Sequence, residues 1–401
     1  MNVGAITGSI LSGPLMVWLG QRVALLIALP IVLTMWLCQA FSPNVWTLQL
    51  SRALLGVAQG LMGGTANNFV VELAHSSIRG NLYSFIDIFR QLGSLYVFIV
   101  GCANLNWREI SIVCSITTTI IPFIGLILVH NSPRWLAVQG RIEDARNALL
   151  FYRGKRMDIN IELAGIKSQL DTTQTKTGAW DQFKMMFSKN NKKRMYILSV
   201  LMFGAFFTGN NIVTTYSTVI FEKIDPSINP FTSTVIIGTM RVVGTGSYAM
   251  ISEKFGRRKL FLVPLVISSL SLGALAIFLY LETIGLTIPN TSWVPLTLLI
   301  SFTISSCMAL PVLMLYRSEL LPNSVRALGS SLVYVLFFGG NFITSFSYPP
   351  MVNTIGLHGT FGFYSICTIL IVIFGYIFLP ETKGRSLEDI EKNFKSKKSN
   401  K

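Results

Sequence analysis

Residues 71–80 read VELAHSSIRG, and residues 318–327 read SELLPNSVRA. Both segments carry Glu-Leu, a gap, and then a β-branched residue followed by Arg, and each comes after a long apolar stretch. In both, the Glu and the Arg are seven positions apart, as from Glu72 to Arg79. A motif that returns in this way indicates an internal repeat.

Two further pairs of short segments repeat in the same order. WLGQR ends at Arg22, and its counterpart EKFGRRK ends at Lys259. SPRWL, at 132–136, corresponds to PETKGRSL, at 380–387. Three matched pairs in one order predict a chain made of two homologous halves.

The composition decides the broad class of protein. Of the 401 residues, 51% are hydrophobic and only 13% are charged, whereas a soluble globular domain carries about 25% charged residues. So few charges cannot cover a surface that faces water. This excludes a soluble enzyme, a disordered protein, a coiled coil and a disulfide scaffold, and it predicts a polytopic membrane protein.

Long apolar stretches predict that the membrane-spanning segments are helices. A spanning helix needs about 20 mostly apolar residues, whereas the strands of a membrane barrel would alternate over about 10 residues. The fold class is therefore predicted to be all-α. Eleven stretches qualify, near 2–20, 23–41, 48–70, 82–103, 109–130, 195–218, 231–252, 260–282, 292–316, 327–349 and 359–379.

The basic residues predict which side of the membrane each loop occupies. The chain has 33 Lys and Arg against 18 Asp and Glu, a formal net charge of +15. If the C-terminus is cytoplasmic, most of the basic residues fall on that side, in agreement with the positive-inside rule. The excess charge is then a property of the cytoplasmic face, and no nucleic-acid partner is expected.

Nothing in the sequence indicates an enzyme, a cofactor or a metal site. The five cysteines all lie in apolar spans or at their ends, and none has metal-ligand spacing; we interpret them as packing residues. There is no nucleotide-binding loop and no nucleophile–base arrangement. The expected partners are the lipid bilayer and a small polar substrate.

The repeat also predicts the domain organisation. It pairs the first five spans with the last five and leaves the span at 195–218 without a mate. We therefore expect that a first helix is missing, so that eleven of twelve helices are present; a genuine eleven-helix protein is the alternative. The predicted parts are an N-terminal helical bundle over 1–130, a cytoplasmic linker with short amphipathic helices over 131–194, a C-terminal helical bundle over 195–380 and a basic cytoplasmic tail over 381–401.

Two six-helix halves joined by a long basic loop are typical of secondary transporters. SRALLGVAQG at 51–60, QLGSLYVFIVG at 91–101 and above all PETKGRSLEDIE at 380–391 resemble the sugar porter family of the major facilitator superfamily. The order and spacing are most similar to those of the arthropod facilitated trehalose transporters. The resemblance implies the major facilitator fold, with two pseudo-repeated helical bundles.

The resemblance also implies a function and a location. We expect an integral protein of the plasma membrane that moves a sugar, such as trehalose or a hexose, by facilitated alternating access. No Asp or Glu lies clearly at mid-depth in a span, whereas proton coupling normally needs such a carboxylate. Two alternatives remain: a transport-deficient nutrient sensor or truncated regulatory homologue, and a carrier for a small organic anion.

Charged residues at the predicted cytoplasmic helix ends form a candidate gating network. Opposite charges on facing helix ends can pair in one state and must separate when the inside opens; plain positive-inside topology is the alternative. Val17, His75 and Asn131 stand where the family usually has an acidic residue, a proline and a glutamate, which indicates weaker closure. The network comprises Arg22, Glu72, Arg79, Arg134, Arg257, Arg258, Glu319, Arg326, Glu381 and Arg385.

Two amides are candidate sugar contacts on separate spans. Gln91 lies well inside its span, where a buried amide needs partners and a sugar hydroxyl offers both a donor and an acceptor. The resemblance places a sugar-contacting glutamine here and a site-lining residue at Asn341. Interhelical packing is the alternative for Gln91.

The span at 195–218 contains FGAFFTGNN followed by IVTTYS. Its Gly, Asn and Thr content suits an interrupted helix at a binding site. Asn211 and Tyr216 match the family's signature for this span. Ala205 and Phe206 replace its paired glutamines, which puts sugar recognition in doubt.

Arg241 stands near the middle of the span at 231–252. A charge at this depth costs about 3 kcal/mol on insertion scales, so it should face a cavity or a partner. It could contact an anionic or strongly polar substrate, or it could bond to backbone carbonyls of a neighbouring helix. Elsewhere, Asn290-Thr291-Ser292 forms a glycosylation sequon in a predicted outside loop.

Overall fold

The fold consists of helices, and no β-strand occurs in the residues described. The computed structural model describes residues 1–73, 79–103, 105–154, 159–160, 162–166, 184, 188–224, 229–252, 254–286, 293–321 and 326–381. The helices are α1 (Asn2–Leu19), α2 (Gln21–Ala40), α3 (Val45–Leu73), α4 (Arg79–Cys102), α5 (Trp107–Leu128), α6 (Pro133–Val138), α7 (Ile142–Arg153), α8 (Lys189–Gly204), α9 (Asn210–Thr215), α10 (Ser217–Ile224), α11 (Pro230–Ile251), α12 (Arg257–Thr283), α13 (Trp293–Leu320) and α14 (Arg326–Phe378).

Eight of these helices are long and apolar enough to cross a membrane, judged within the described part of the chain. Over its described residues, each of the eleven predicted spans nevertheless lies mainly in helices. Helix α14 covers the last two of them, with a break at Gly356, where φ is 72°. The span predicted at 195–218 is divided among α8, a 3₁₀ turn over Ala205–Thr208, α9 and the start of α10.

The chain forms two compact units. Unit 1 comprises residues 1–83, 105–185 and 330–335, and unit 2 comprises residues 84–104, 186–329 and 336–401. Most of α4 therefore belongs to unit 2, with α8 to α13 and most of α14.

In unit 1, α1 and α3 pack through glycines. A Cβ added at Gly4 would lie 1.9 Å from the carbonyl oxygen of Ala53, and one added at Gly60 would lie 2.2 Å from that of Ala5. Both distances are far below van der Waals contact, so only glycine lets the two backbones approach this closely. Small residues serve the same purpose in many membrane helix pairs.

The predicted linker contains a small apolar core of its own in unit 1. Leu136 of α6 and Ala145 and Leu149 of α7 are at most 4% exposed and form one cluster. Arg153, at the end of α7, donates to the carbonyl oxygen of Leu73 at 2.7 Å and pairs with Glu162 at 2.9 Å. The linker is thereby bonded to the last residue of α3.

The core of unit 2 surrounds the broken helix. Ile212 of α9 packs with Leu272 of α12, Phe302 of α13 and Tyr364 of α14, all at most 1% exposed. The break itself falls at Gly209, whose φ of 82° is unfavourable for residues with a side chain. This core fixes the position of α9, which carries several polar side chains of the site.

Candidate substrate site

A polar cavity of about 160 Å³ lies within unit 2, beside the broken helix. Its polar lining comes from α4, α9 and α11, and its apolar lining from the 3₁₀ turn, α13 and α14. The lining residues are Arg90, Gln91, Ser94, Ala205, Phe206, Asn210, Asn211, Thr214, Arg241, Leu310 and Phe337.

The helix break determines which side chains reach this cavity. The turn ends at Gly209, and α9 then begins with Asn210 and Asn211. A helix interrupted at membrane depth leaves backbone and amide groups beside a cavity, which is how many transporters build a substrate site. The interruption expected from the Gly, Asn and Thr content is present.

Arg241 is 8% exposed, and its guanidinium bonds to side chains of two other helices. Nε donates to Gln91 Oε1 at 3.0 Å, and Nη1 donates to Asn210 Oδ1 at 3.1 Å and to the hydroxyl of Thr214. The sequence suggested either a substrate contact or bonds to backbone carbonyls. The acceptors in the structure are instead amide and hydroxyl oxygens of side chains. Within the described residues, Nη2 has no protein acceptor.

Asn210 connects Arg241 to a further helix. Its Oδ1 accepts from Arg241 Nη1 and also from Ser306 Oγ of α13, both at 3.1 Å. Sequence reasoning missed Asn210, Thr214, Ser94 and Arg90 as site residues. One signal was available for Asn210 and Thr214: an Arg in the middle of a span needs oxygen acceptors, and both of these side chains offer one.

Asn211 lines the cavity and bonds to α14 behind it. Its Nδ2 donates to Asn341 Oδ1 and to Ser345 Oγ, the latter at 3.3 Å. Tyr216 donates from its hydroxyl to the carbonyl oxygen of Ser345 at 3.1 Å, and its ring lies 4.5 Å from that of Tyr348. Asn341 thus bonds to Asn211, and Tyr216 bonds to α14. Neither is among the described lining residues, whereas Gln91, Asn211 and Arg241 all line the cavity.

Arg90 brings a second positive charge to the lining. It forms an ion pair with Asp87, one turn away on α4, at 2.7 Å. Asp87 is 5% exposed, and its second carboxylate oxygen has no hydrogen-bond partner in the described part of the chain. No Asp or Glu is among the lining residues that the structure describes.

The charged residues of the predicted gating network fall in two groups, and the first is in unit 1. Glu72 accepts from Gln21 Nε2 at 2.9 Å and from Ser132 Oγ at 2.5 Å, with Arg134 close enough to act on its charge. Arg22 donates to the carbonyl oxygens of two residues in the last turn of α5, both at 2.8 Å. These residues tie helix ends together within the unit.

The second group lies in unit 2, where α12 begins and α14 has ended. Glu381 accepts the backbone N–H of Arg257 at 2.8 Å and that of Arg258 at 3.2 Å. The guanidinium of Arg257 donates to the carbonyl oxygen of Ser252, and that of Arg258 donates to the carbonyl oxygen of Tyr376. In the described residues the two arginines thus bond to helix ends.

Some predicted site residues lie outside what the structure describes. Arg385 and the sequon residue Asn290 are not among the described residues. Arg79, Glu319 and Arg326 are placed in helices, but their side chains are not described. Their predicted roles stay predictions.

Comparison with known proteins gives matches over nearly the whole chain. The model of the family "Sugar (and other) transporter" matches residues 1–394. The facilitated trehalose transporter of Apis mellifera ligustica is 30% identical over 398 residues, covering 98% of this chain and 78% of the relative. That of Polypedilum vanderplanki is 29% identical over 397 residues, covering 98% and 77%.

Solved structures of similar fold agree. The major facilitator superfamily proton:xylose symporter XylE, bound to 6-bromo-6-deoxy-D-glucose, has a TM-score of 0.80 at 23% identity, covering 98% of this chain and 87% of that one. The inward-open xylose transporter XylE from E. coli has a TM-score of 0.78 at 22% identity, with the same coverage. The predicted fold class, an all-α major facilitator fold, is confirmed.

Proposed function

Because the chain belongs to the sugar (and other) transporter family, we propose that it is a facilitative carrier of a sugar of hexose or trehalose type, working by alternating access. It is an integral membrane protein, as its family and its apolar helices require. We further propose a plasma-membrane location, a cytoplasmic C-terminus, and the sequence-based division into bundles at 1–130 and 195–380 joined by a linker.

The observation that carries the proposal is the hydrogen-bonding capacity left at the cavity. After their protein contacts within the described residues, Gln91 Nε2 and Arg241 Nη2 remain as donors and Asn211 Oδ1 remains as an acceptor. A sugar hydroxyl both donates and accepts, so these groups suit a polyhydroxylated ligand. Phe206 and Phe337 supply apolar surface for the faces of its ring.

The lining also supports facilitation rather than proton coupling. A proton-coupled carrier normally places a carboxylate in its transport pathway, and no acidic residue lines this cavity in the described chain. Asp87, the nearest candidate on α4, is paired with Arg90. Transport should therefore equilibrate the substrate without accumulating it.

Uptake into proteoliposomes tests the proposal. The purified chain is reconstituted and offered labelled trehalose, glucose and a set of organic anions, with and without a pH gradient. We expect uptake of a sugar to the same final level in both conditions. Accumulation driven by the gradient would contradict facilitation, and the absence of any uptake would favour the transport-deficient sensor.

A matched pair of variants ties the uptake to the site. Gln91→Leu removes the Nε2 donor that is proposed to bond to a sugar hydroxyl, a neutral hydrogen bond worth about 0.5–1.5 kcal/mol, so the half-saturating sugar concentration should rise about twofold to tenfold. Gln59→Leu changes an exposed glutamine of α3 in unit 1 and should leave it unchanged. Equal behaviour of the two variants would place the site elsewhere.

One observation favours a second candidate, a carrier of a small organic anion. Arg241 is buried without a carboxylate partner in the described residues, and Arg90 adds a second cation to the lining. Arginine forms strong bidentate bonds with carboxylates. If the protein carries an anion, Arg241→Gln should abolish uptake of that anion. If it carries a sugar, unlabelled anions should not compete with labelled sugar for uptake by the wild type.

A further inference from the structure

A second, larger groove lies on the surface of unit 2, away from the polar cavity. It measures about 460 Å³ and runs between the first turns of α12 and the last turns of α14. Val263 and Val266 line it from α12, and Ile373, Tyr376 and Ile377 line it from α14. Every lining side chain is aliphatic, apart from the ring of Tyr376.

The groove is open to the surroundings of the protein. Val263 is 57% exposed, Ile373 is 50% exposed and Ile377 is 64% exposed. In an integral membrane protein such side chains face lipid. A trough in this surface, bounded by two helices, can hold an acyl chain more closely than a flat helix face can, because the chain gains contacts on both sides.

One end of the groove is basic. The guanidinium of Arg258 lies 5.0 Å from the centre of the Tyr376 ring and donates to the carbonyl oxygen of the same residue. Arg258 therefore sits directly at the aromatic end of the apolar trough. The next residue, Lys259, is exposed.

The charge of the neighbouring sequence is positive in sum. Residues 253–259 read EKFGRRK, with four basic side chains and one acidic one. Glu381 adds a second acidic group, which accepts the backbone N–H groups of Arg257 and Arg258. A net positive charge of two thus remains beside the groove, counted over these residues.

We propose that this groove binds an anionic glycerophospholipid, with an acyl chain between α12 and α14 and the headgroup phosphate against Arg258 and Lys259. Basic clusters beside membrane helices attract anionic headgroups, and an aromatic ring at the same level is typical of the membrane interface. A zwitterionic lipid offers the same chain but no net charge. A free phosphate would make no use of the apolar trough.

Native mass spectrometry of the full chain, released from nanodiscs that contain equal amounts of phosphatidylglycerol and phosphatidylcholine, tests the proposal. The wild type should retain phosphatidylglycerol in preference. Lys259→Gln should lower the preference for phosphatidylglycerol over phosphatidylcholine by about fivefold, the change in equilibrium constant for one basic residue near an anionic lipid. Lys193→Gln, an exposed lysine at the start of α8, is the control and should retain it as the wild type does.

Filling the groove separates lipid binding from a general charge effect. In Val263→Trp the ring should fill the groove and abolish the preference for phosphatidylglycerol. The control is Ile277→Trp, which changes a 62%-exposed residue of α12 about 20 Å further along the helix and should have no effect. Equal retention of both lipids by the wild type, or full retention by Val263→Trp, would overturn the proposal. The proposal would also be overturned if soluble glycerophosphoglycerol protected the protein against thermal unfolding as well as phosphatidylglycerol does. That result would indicate a site for the phosphate group alone.

Discussion

At the scale of single residues, Arg241 shows what a sequence can and cannot reveal. A cation in the middle of an apolar span must have partners, and that requirement was evident from the sequence. Its partners, Gln91 and Asn210, lie 150 and 31 positions away. Which side chains meet at such separations depends on how the helices pack, and a single sequence carries no record of it.

The pair Asn211 and Asn341 supports a prediction at this scale, because the two amides bond directly. Asn211→Ala and Asn341→Ala should each weaken sugar binding several-fold. The double variant should bind sugar about as weakly as either single variant. The expected coupling energy is about 1 kcal/mol, measured by a double-mutant cycle on the dissociation constant.

A matched cycle controls for general loss of stability. Asn67 bonds to the hydroxyl of Tyr334 within unit 1 and shares no partner with Asn211 in the described residues. The effects of Asn67→Ala and Asn211→Ala should therefore add. Additive effects for Asn211 and Asn341 as well would show that their hydrogen bond does not support the site.

At the scale of the element, the helices themselves were the most predictable feature. Long apolar runs mark spanning helices because every backbone group must be hydrogen-bonded inside the lipid. Close helix packing was not predicted: the sequence shows glycines at 4 and 60, but also at 63, and only the structure distinguishes the crowded ones from the open one.

This distinction leads to a prediction about α1 and α3. Gly60→Ala would place a Cβ 2.2 Å from the carbonyl oxygen of Ala5, so the helices must separate, at a cost of about 1–3 kcal/mol. A Cβ at Gly63 meets nothing within 4 Å, and Gly63→Ala should stabilise the helix by about 0.5–1 kcal/mol. The midpoint temperature of thermal unfolding in detergent should therefore fall for Gly60→Ala and rise for Gly63→Ala. A similar shift for both variants would contradict close packing at Gly60.

The start of α12 supports a second prediction for an element. The carboxylate of Glu381 accepts the first backbone N–H groups of this helix, where a negative charge interacts favourably with the helix dipole. Glu381→Gln should therefore destabilise the protein by about 0.3–1 kcal/mol, up to about 2. Thermal unfolding at low salt measures the effect.

The other end of α12 provides the control. Glu282 lies exposed in the last turn, where a negative charge opposes the dipole. Glu282→Gln should leave the stability unchanged or raise it slightly. If Glu282→Gln destabilised the protein as much as Glu381→Gln, the role of Glu381 at the helix start would be refuted.

At the scale of the whole molecule, the fold was predictable and the site only in part. Low charge content and the repeated loop motifs were sufficient for an all-α membrane protein of two related halves. Gln91, Asn211 and Arg241 could be proposed because amides and a cation stand out in apolar spans, and the structure places all three at the cavity. Ser94 and Thr214 were not, because short hydroxyl side chains can bond to their own helix and occur in spans with no functional role.

The central claim is that the polar cavity of unit 2 is the path of the substrate, and exchange of labelled sugar across proteoliposomes tests it most directly. Ser94 lines the cavity, whereas a side chain at its neighbour Gly93 would meet nothing within 4 Å. Ser94→Trp should lower the exchange rate about tenfold or more, since the ring would fill a space of about 160 Å³. Gly93→Trp should exchange as the wild type does. Wild-type exchange by a correctly folded Ser94→Trp protein would contradict the claim.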